Sequence, residues 1–490
     1  MSEPVSAASL SSFPDLHTVD LDGVSASVIE RSKRLAQITV VALRYLVPAV
    51  LTTSSRNPEQ RATRLGGALR KVVDALGVTF VKLGQLLASS PSLAGEHLSN
   101  AMRGVLDDGR PVPTDAVRRT IEADLGCRID EIFSELAPQP FAAASLAVVH
   151  RGRLRDGTDV AVKVLRPGAA TVVATDLGLI QPMARWLAGW LPVGMVPAIP
   201  QLLDGLATQL TEELDLRNEA HVMDWYRQVL GLMGATEVIV PEPMWSACGP
   251  NVLTMEFVEG STIDDLASLS DQAVDTTRAI QTVLESWFAT TLCTGVFHGD
   301  MHAGNLLVTA EGRVALLDWG IVGRLPEASR VFFRRSIEGA LGDESAWPDV
   351  VAHMRTFIDD DVLTAAGITL ADLEQVIRAQ TLMIMTSPFS EIDLMMLAPP
   401  TQSSLPGQER TSLSLVGWLK LARQERRKLR QMGLVGAAQA PPHSELLLIK
   451  QLIFFERYGK LFLADRPLIF DPELYRSLLA LPDLRGSEVT

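Results

Sequence analysis

Cysteine is scarce: the 490 residues hold three, Cys127, Cys248 and Cys293, far apart and without paired spacing. That pattern excludes a disulfide scaffold or a zinc framework and suits a reducing, intracellular setting. Positive charge is also in deficit. Against 58 Asp and Glu stand 44 Lys and Arg, a net charge of −14, and so acidic a field repels nucleic-acid backbones. No nucleic-acid partner is expected. Uninterrupted apolar runs of the roughly 20 residues needed to cross a bilayer are missing as well. Residues 36–51 are broken by Arg44 and Pro48, and residues 186–200 by three prolines and two glycines. Both are read as core or inter-lobe packing, with contact at a membrane surface as the rival. The opening MSEPVSAASLSSF lacks a basic region followed by an apolar one, so no signal peptide is expected and the cytoplasm is the expected location.

What is present is ordinary for a folded chain. Hydrophobic residues make up 47% and charged residues 21%, enough for a core and too balanced for wholesale disorder. Mean hydropathy is slightly apolar, +0.18. Residues 1–28, rich in Ser, Ala and Asp, read as a mobile leader. Helical patterning follows. Within GVTFVKLGQLLASSPSL, Lys82 and Gln85 are three apart and share one helix face, a polar patch that is costly unless it meets phosphate, carboxylate or solvent. TDAVRRTIEADLG reads as a helix capped by Thr114 and stopped by Gly126.

Strands then take over. SLAVVHRGRL and DVAVKVL flank Asp156-Gly157, a strong hairpin signal. After Pro200 a helix is expected to about Trp225, with Leu202, Leu206, Leu210 and Leu214 as its buried stripe. Two further strands, EVIVPEPM and NVLTMEF, precede a mostly helical remainder. A small sheet followed by a large helical part is a two-lobed α+β layout.

The chemistry concentrates in FHGDMHAGNLLV and VALLDWG. Asp300 is followed five positions on by Asn305, and a hairpin turning at Glu311-Gly312 leads to Asp318-Trp319-Gly320. This is the spacing of a kinase catalytic loop and metal-binding turn. Phosphoryl transfer needs a carboxylate that orients or accepts the proton of an attacking hydroxyl, here Asp300. It also needs an amide oxygen and a second carboxylate to hold Mg2+ across ATP phosphates, here Asn305 and Asp318. Upstream, Lys163 in VAVKVL shares a strand face with Ala161, opposite Val160, Val162 and Val164, and so points into the cleft under the sheet. Such a lysine contacts the α and β phosphates and pairs with a helix carboxylate; by pattern alone Glu212, Glu213 and Glu219 all qualify. A glycine-rich phosphate loop is absent. Its place is taken by Ala142, Ala143, Ala144 and Ser145, whose backbone N–H groups can still cradle phosphate within a narrower range of conformations.

In combination these residues resemble the UbiB/AarF (aarF-domain, or ADCK-type) atypical kinase family from about residue 60 to about 330. Lys82-Leu83-Gly84-Gln85 matches its KxGQ helix, residues 142–145 its Ala-rich loop, and Glu213-Leu214-Asp215 its ExD motif. The resemblance implies a two-lobed protein-kinase-like fold with a helical extension packed over the active site. The expected units are a leader (1–28), a helical extension (29–125), an N-lobe (126–260) and a helical C-lobe with C-terminal additions (261–490). It also implies that Glu219 is the partner of Lys163, and that Glu213 and Asp215 meet the KxGQ helix or the metal site. Adenine is expected against Met255-Glu256-Phe257-Val258, with Glu256 and Val258 lining it. The family is linked to isoprenoid quinone biosynthesis and lipid homeostasis at membranes.

Departures from protein kinases narrow the activity. Gly299 stands where most carry an Arg that reads activation-loop phosphate, and only IVGRLPEAS follows Gly320 before the next helix. A peptide-docking segment has no room, so ATP hydrolysis or phosphorylation of a small molecule or lipid is expected rather than protein phosphorylation. Departures from the family itself are Val148, Ser90, Trp319, Met301 and Ala303. A nucleotide-sensing scaffold with little phosphoryl transfer, and an antibiotic or sugar phosphotransferase, are the rival readings. Toward the C-terminus, the stripe Arg423, Arg426, Arg427, Lys428 and Arg430 reads as a solvated helix face or a contact for anionic lipid. TLMIMTSPFSEIDLMML and ELLLIKQLIFFERYGKLF read as core, with a lipid groove or a homodimer surface as the rival.

Overall fold

The computed structural model describes residues 12–21, 24, 27–51, 58–88, 112–144, 146–188, 198–272, 274–357, 369–392, 443–481 and 483–484. A linker expected from APPTQSSLPGQERTS at 398–412, the basic stripe at 423–430, Ser90 and Ser145 lie outside them, as does all of a second linker expected at 437–444 except His443 and Ser444, which open a helix instead. Among the described residues the longer helices are α1 (Val28–Leu51), α2 (Pro58–Leu76), α3 (Val78–Ala88), α4 (Thr114–Leu125), α5 (Ala169–Ala188), α6 (Ala198–Glu213) and α7 (Leu216–Leu232). Then come α8 (Thr276–Thr294), α9 (Glu327–Ala340), α10 (Trp347–Arg355), α11 (Leu370–Thr386), α12 (His443–Phe462) and α13 (Pro472–Leu479).

The first sheet is antiparallel, in the order β1 (Phe133–Leu136), β3 (Ala147–Leu154), β4 (Asp159–Leu165), β6 (Val252–Glu256), with β2 (Ala142–Ala143) paired on β3. The β3–β4 hairpin turns where Asp156-Gly157 predicts it. Gly157 takes φ 94° and the Asp156 carboxylate accepts the Thr158 N–H, a conformation in which a side chain at 157 would be strained. Strand alternation divides β4 between two cores. Val160, Val162 and Val164 pack with Val148 against Val117, Ile121, Ile129 and Phe133 beneath α4, while Ala161 and Leu165 face the main core on the Lys163 side.

The helical lobe carries two small sheets, β5 (Val238–Ile239)–β10 (Val314–Leu316)–β9 (Leu306–Val308)–β7 (Ser261–Thr262) and β11 (Val322–Arg324)–β8 (Val296–His298). EVIVPEPM is shared between two sheets: β5 runs parallel to β10, whereas Glu242–Met244 bridge antiparallel to β6, which completes the first sheet against β4. The expected single helix from Pro200 to Trp225 is also two. Asp215 leaves helical geometry at φ −124° and its side chain accepts the Arg217 N–H, ending α6 and capping α7, while Leu214 and Leu216 stay buried across the break. Thr114 likewise is not a cap; Pro113 holds that position and the Thr114 hydroxyl donates to the Pro138 carbonyl. Gly126 does end α4, at φ 68°, donating to Glu122 O.

Of two apolar segments, the first differs from its sequence reading and the second keeps it. Helix α1 buries no residue completely; Arg34 pins it by a paired contact to the buried Asp176 (2.7 and 2.8 Å) and a bond to Leu76 O. Its 24 residues are long and apolar enough, by length and composition, to cross a membrane, because the helix starts well before residue 36 and its apolar stretch outlasts the interruptions counted above. In the second, α12 does not present its apolar stripe as a free groove or dimer face: Leu447, Leu448, Phe455 and Tyr458 lie inside the main core.

Candidate active site

The break at Asp215 sets the first side of the site. It places Glu219 in the opening turn of α7, where the helix dipole favours a carboxylate, directly across from β4. Lys163 Nζ sits 2.9 and 2.8 Å from Glu219 Oε1 and Oε2 and 2.9 Å from Asp318 Oδ1. Burial works against the charge on Lys163, but Asp318 and Glu219 outweigh it and hold the ammonium protonated. Burial likewise opposes the charge on Asp318, and Lys163 with Lys82 overcomes it, holding that carboxyl well below its usual range. On Glu219 desolvation wins and the proton affinity rises. Asp318 adopts φ 55°, the only left-handed non-glycine among the described residues, a backbone cost retained where surrounding structure enforces it. The enforcement is visible in Trp319, buried with its indole N–H on Leu316 O and its backbone N–H on Glu219 Oε1.

The second side is the loop after β8. Gly299 N–H donates to Ile321 O, and a Cβ at 299 would fall 2.9 Å from Ile321 Cγ2 and 3.1 Å from that oxygen. An arginine there cannot fit, which accounts for the departure seen in the sequence. Asp300 N–H donates to His298 Nδ1 (3.1 Å), so the ring proton is on Nε2, which donates to Leu317 O (3.0 Å). Burial pushes the His298 pKa down to about 4 and keeps the ring neutral. Asn305 Nδ2 donates to Asp300 O (2.9 Å), leaving its amide oxygen as the atom that can coordinate. Burial opposes ionisation of Asp300, yet Lys450, His302 and Lys82 lower its pKa on balance. Lys82 and His302 act on Asp318 too, so the two carboxylates share one field.

The structure brings together Lys82, Ala144, Lys163, Glu213, Asp215, Glu219 and Asp318 around one narrow cavity of about 40 Å³. Lys82 Nζ lies 3.2 Å from Glu213 Oε2, and burial still pushes the Glu213 pKa up. Gln85, half-buried, is on the same helix. Asp215 lines the cavity, and its carboxylate is held by Arg217 at 2.6 Å, its own helix cap and His17 at 3.6 Å. Ala142 and Ala143 form the exposed edge strand β2; Ala144 O accepts from Arg166, fixing the loop's end. Glu256 and Val258 open onto a different depression, of about 530 Å³, with Arg227, Phe257 and Arg313. Neither Glu256 nor Val258 lines the Lys163 cavity.

Several neighbours of the site were missed in the sequence. Leu16 lines the cavity, and the backbone of His17 pairs with the Asn218 side chain in both directions at 2.8 Å. Residues 12–21, read as part of a leader, thus pack against α7 rather than standing free. On the other side Lys450, Gln451 and Tyr458 of α12 meet the Asp300 loop. The signal was present: Lys450-Gln451 interrupts an apolar helix just as Lys82 and Gln85 do.

A strand lysine bound to a helix carboxylate, with an Asp–Asn loop and a strained Asp turn beyond it, defines a kinase-like domain. The chain belongs to the UbiB/AarF family of atypical kinases: the ABC1 atypical kinase-like domain matches residues 104–346. An uncharacterized protein of Mycobacterium tuberculosis is 32% identical over 403 residues, 81% of this chain and 75% of that one. An uncharacterized chloroplastic aarF domain-containing protein kinase of Arabidopsis thaliana is 28% identical over 417 residues, 83% of this chain and 73% of its own. A probable protein kinase UbiB of Cellvibrio japonicus is 32% identical over 308 residues, 62% of this chain and 55% of its own.

Proposed function

We propose that the chain is a Mg2+-dependent ATPase or phosphotransferase for a small-molecule or lipid acceptor, serving isoprenoid quinone or lipid metabolism at a membrane. The observation that carries this reading is Lys163 held by Glu219 and Asp318 together, 2.8 to 2.9 Å from each. One cation between two carboxylates leaves the cluster short of positive charge, which suits a divalent ion arriving with a nucleotide. Asn305 and Asp318 offer the hard oxygens such an ion takes; bound there, it would neutralise phosphate charge. Lys163 would hold the phosphates, Glu219 would hold Lys163, and Asp300 would orient the acceptor hydroxyl or water. The membrane part rests on α1, apolar and exposed along much of its length.

A second reading, a nucleotide-sensing scaffold with little transfer, is favoured by the closed cavity. About 40 Å³ holds one water or so, and Lys82–Glu213 spans it. The two separate on ATP turnover measured with and without anionic liposomes, on wild type and Asp318→Asn. Turnover that liposomes raise and Asp318→Asn abolishes is the expected result. Mg-ATP binding without turnover under any of these conditions decides for the scaffold.

A further inference from the structure

Asp300 has a partner outside the kinase-like motifs. Lys450 Nζ, on α12, lies 2.6 Å from Asp300 Oδ1, and the two side chains are only 15% and 17% exposed. Exposed Lys–Asp pairs contribute little because water screens them and flexible side chains must be immobilised. Neither discount applies in full here. The helix that carries Lys450 is fastened to the same loop by the next residue along: Gln451 Oε1, fully buried, accepts Met301 N–H (3.1 Å), and Tyr458 OH donates to Met301 O (2.9 Å). Both main-chain polar groups of the residue after Asp300 are therefore held by α12. Gln451 Nε2 has no partner among the described residues, so this contact is retained despite an unmet buried donor, which native interiors rarely keep without a reason.

We propose that Lys450 is a positioning residue for Asp300, and that the C-terminal helix thereby completes the active site. Among the described residues, the lysines acting on Asp300 come from α12 (Lys450) and α3 (Lys82), and Lys450 is the one in hydrogen-bond contact. Held through Oδ1, the carboxylate is fixed in rotation and presents Oδ2 to the acceptor hydroxyl or water. The role rests on the phosphoryl-transfer reading above.

The test is steady-state Mg-ATP turnover by the full chain, with nucleotide affinity and thermal midpoint measured on the same samples, for wild type, Lys450→Met and Lys450→Arg. Lys450→Met is expected to lower kcat about tenfold or more while KM for ATP changes less than about twofold, and Lys450→Arg to recover most of the loss. Unchanged or faster turnover by Lys450→Met overturns the role, the faster case marking the contact as a block. Equal loss in both variants, tracking a lowered thermal midpoint, also overturns it in favour of simple packing. A wild type that binds but never turns over ATP sinks the phosphoryl-transfer reading first and this role with it. Should Lys450→Met fail to fold, wild-type protein treated with a carbodiimide, which joins carboxyl and amine groups already in contact, is expected to yield an Asp300–Lys450 cross-linked peptide. Its absence under conditions that cross-link Lys82 to Glu213 overturns the contact.

Discussion

The Lys163 cluster and the Asp300 cluster sit on opposite sides of one site and are built in opposite ways. Around Lys163 one cation serves two carboxylates, and every member, Lys163, Glu219 and Asp318, lies inside the segment that matches the family's domain. Around Asp300 one carboxylate faces two lysines, Lys82 and Lys450, and the one in contact, Lys450, comes from about a hundred residues beyond that segment. The first cluster is short of positive charge and the second is not. On the proposed phosphoryl-transfer reading, that difference would put a metal ion on the first side and the acceptor oxygen on the second, where the contact comes from beyond the matched domain.

The sharpest way to break the contrast is Asp300→Asn. Amide for carboxylate keeps shape and removes the proton acceptor, so ATP turnover should fall about a hundredfold or more with nucleotide affinity nearly unchanged; stopped or steady-state turnover beside a binding titration reads both. On the opposite cluster, Lys163→Met leaves Glu219 buried without its cation and should cost about 3 kcal/mol in urea unfolding. Glu219→Gln should cost less, because Lys163 keeps Asp318; equal costs would mean the two carboxylates are not sharing the lysine. The hinge between the clusters is His298, neutral in the fold with its pKa near 4 against 6.5 unfolded. A depressed histidine means the unfolded chain binds the extra proton, so stability is full above pH 6.5 and falls as pH drops toward 4. The loss should be on the order of 3 kcal/mol, absent in a folded variant lacking the ring. The smallest effect belongs to Tyr458→Phe, which loses a buried bond to Met301 O and should cost about 1 kcal/mol, with kcat reduced less than by Lys450→Met.

Local pattern reached some of this and failed for reasons of geometry elsewhere. The β3–β4 hairpin, the division of β4 into two faces and the β9–β10 turn are short-range consequences of alternation and glycine placement, and they read directly from residues 147–165 and 306–316. The α6–α7 break did not, because Leu206, Leu210 and Leu214 keep helical spacing up to the point where Asp215 turns its side chain back on the next helix. That Glu219 rather than Glu212 faces Lys163 follows from this break; Glu212 turns instead to Arg324 of β11 at 2.6 Å. The spacing of Asp300, Asn305 and Asp318 is written in the chain, whereas the Lys450 contact spans 150 positions and leaves only a polar interruption in an apolar helix to mark it. Helix α1 is not legible from residues 36–51 alone, because its apolar length depends on the whole helix from Val28 to Leu51.

The narrowness of the Lys163 cavity bears on rates. A nucleotide needs several hundred Å³, so on the proposed reading it would enter more readily where α3 and the segment around Leu16 have moved apart from α7. Affinity is then diluted by the rarity of that form: were ~1% of molecules open at any instant, the apparent dissociation constant would stand about a hundredfold above the intrinsic one. Association would level off at high nucleotide concentration, limited by how often the protein opens. Whatever holds it open, a lipid surface or an acceptor, would then act as an activator without touching the nucleotide.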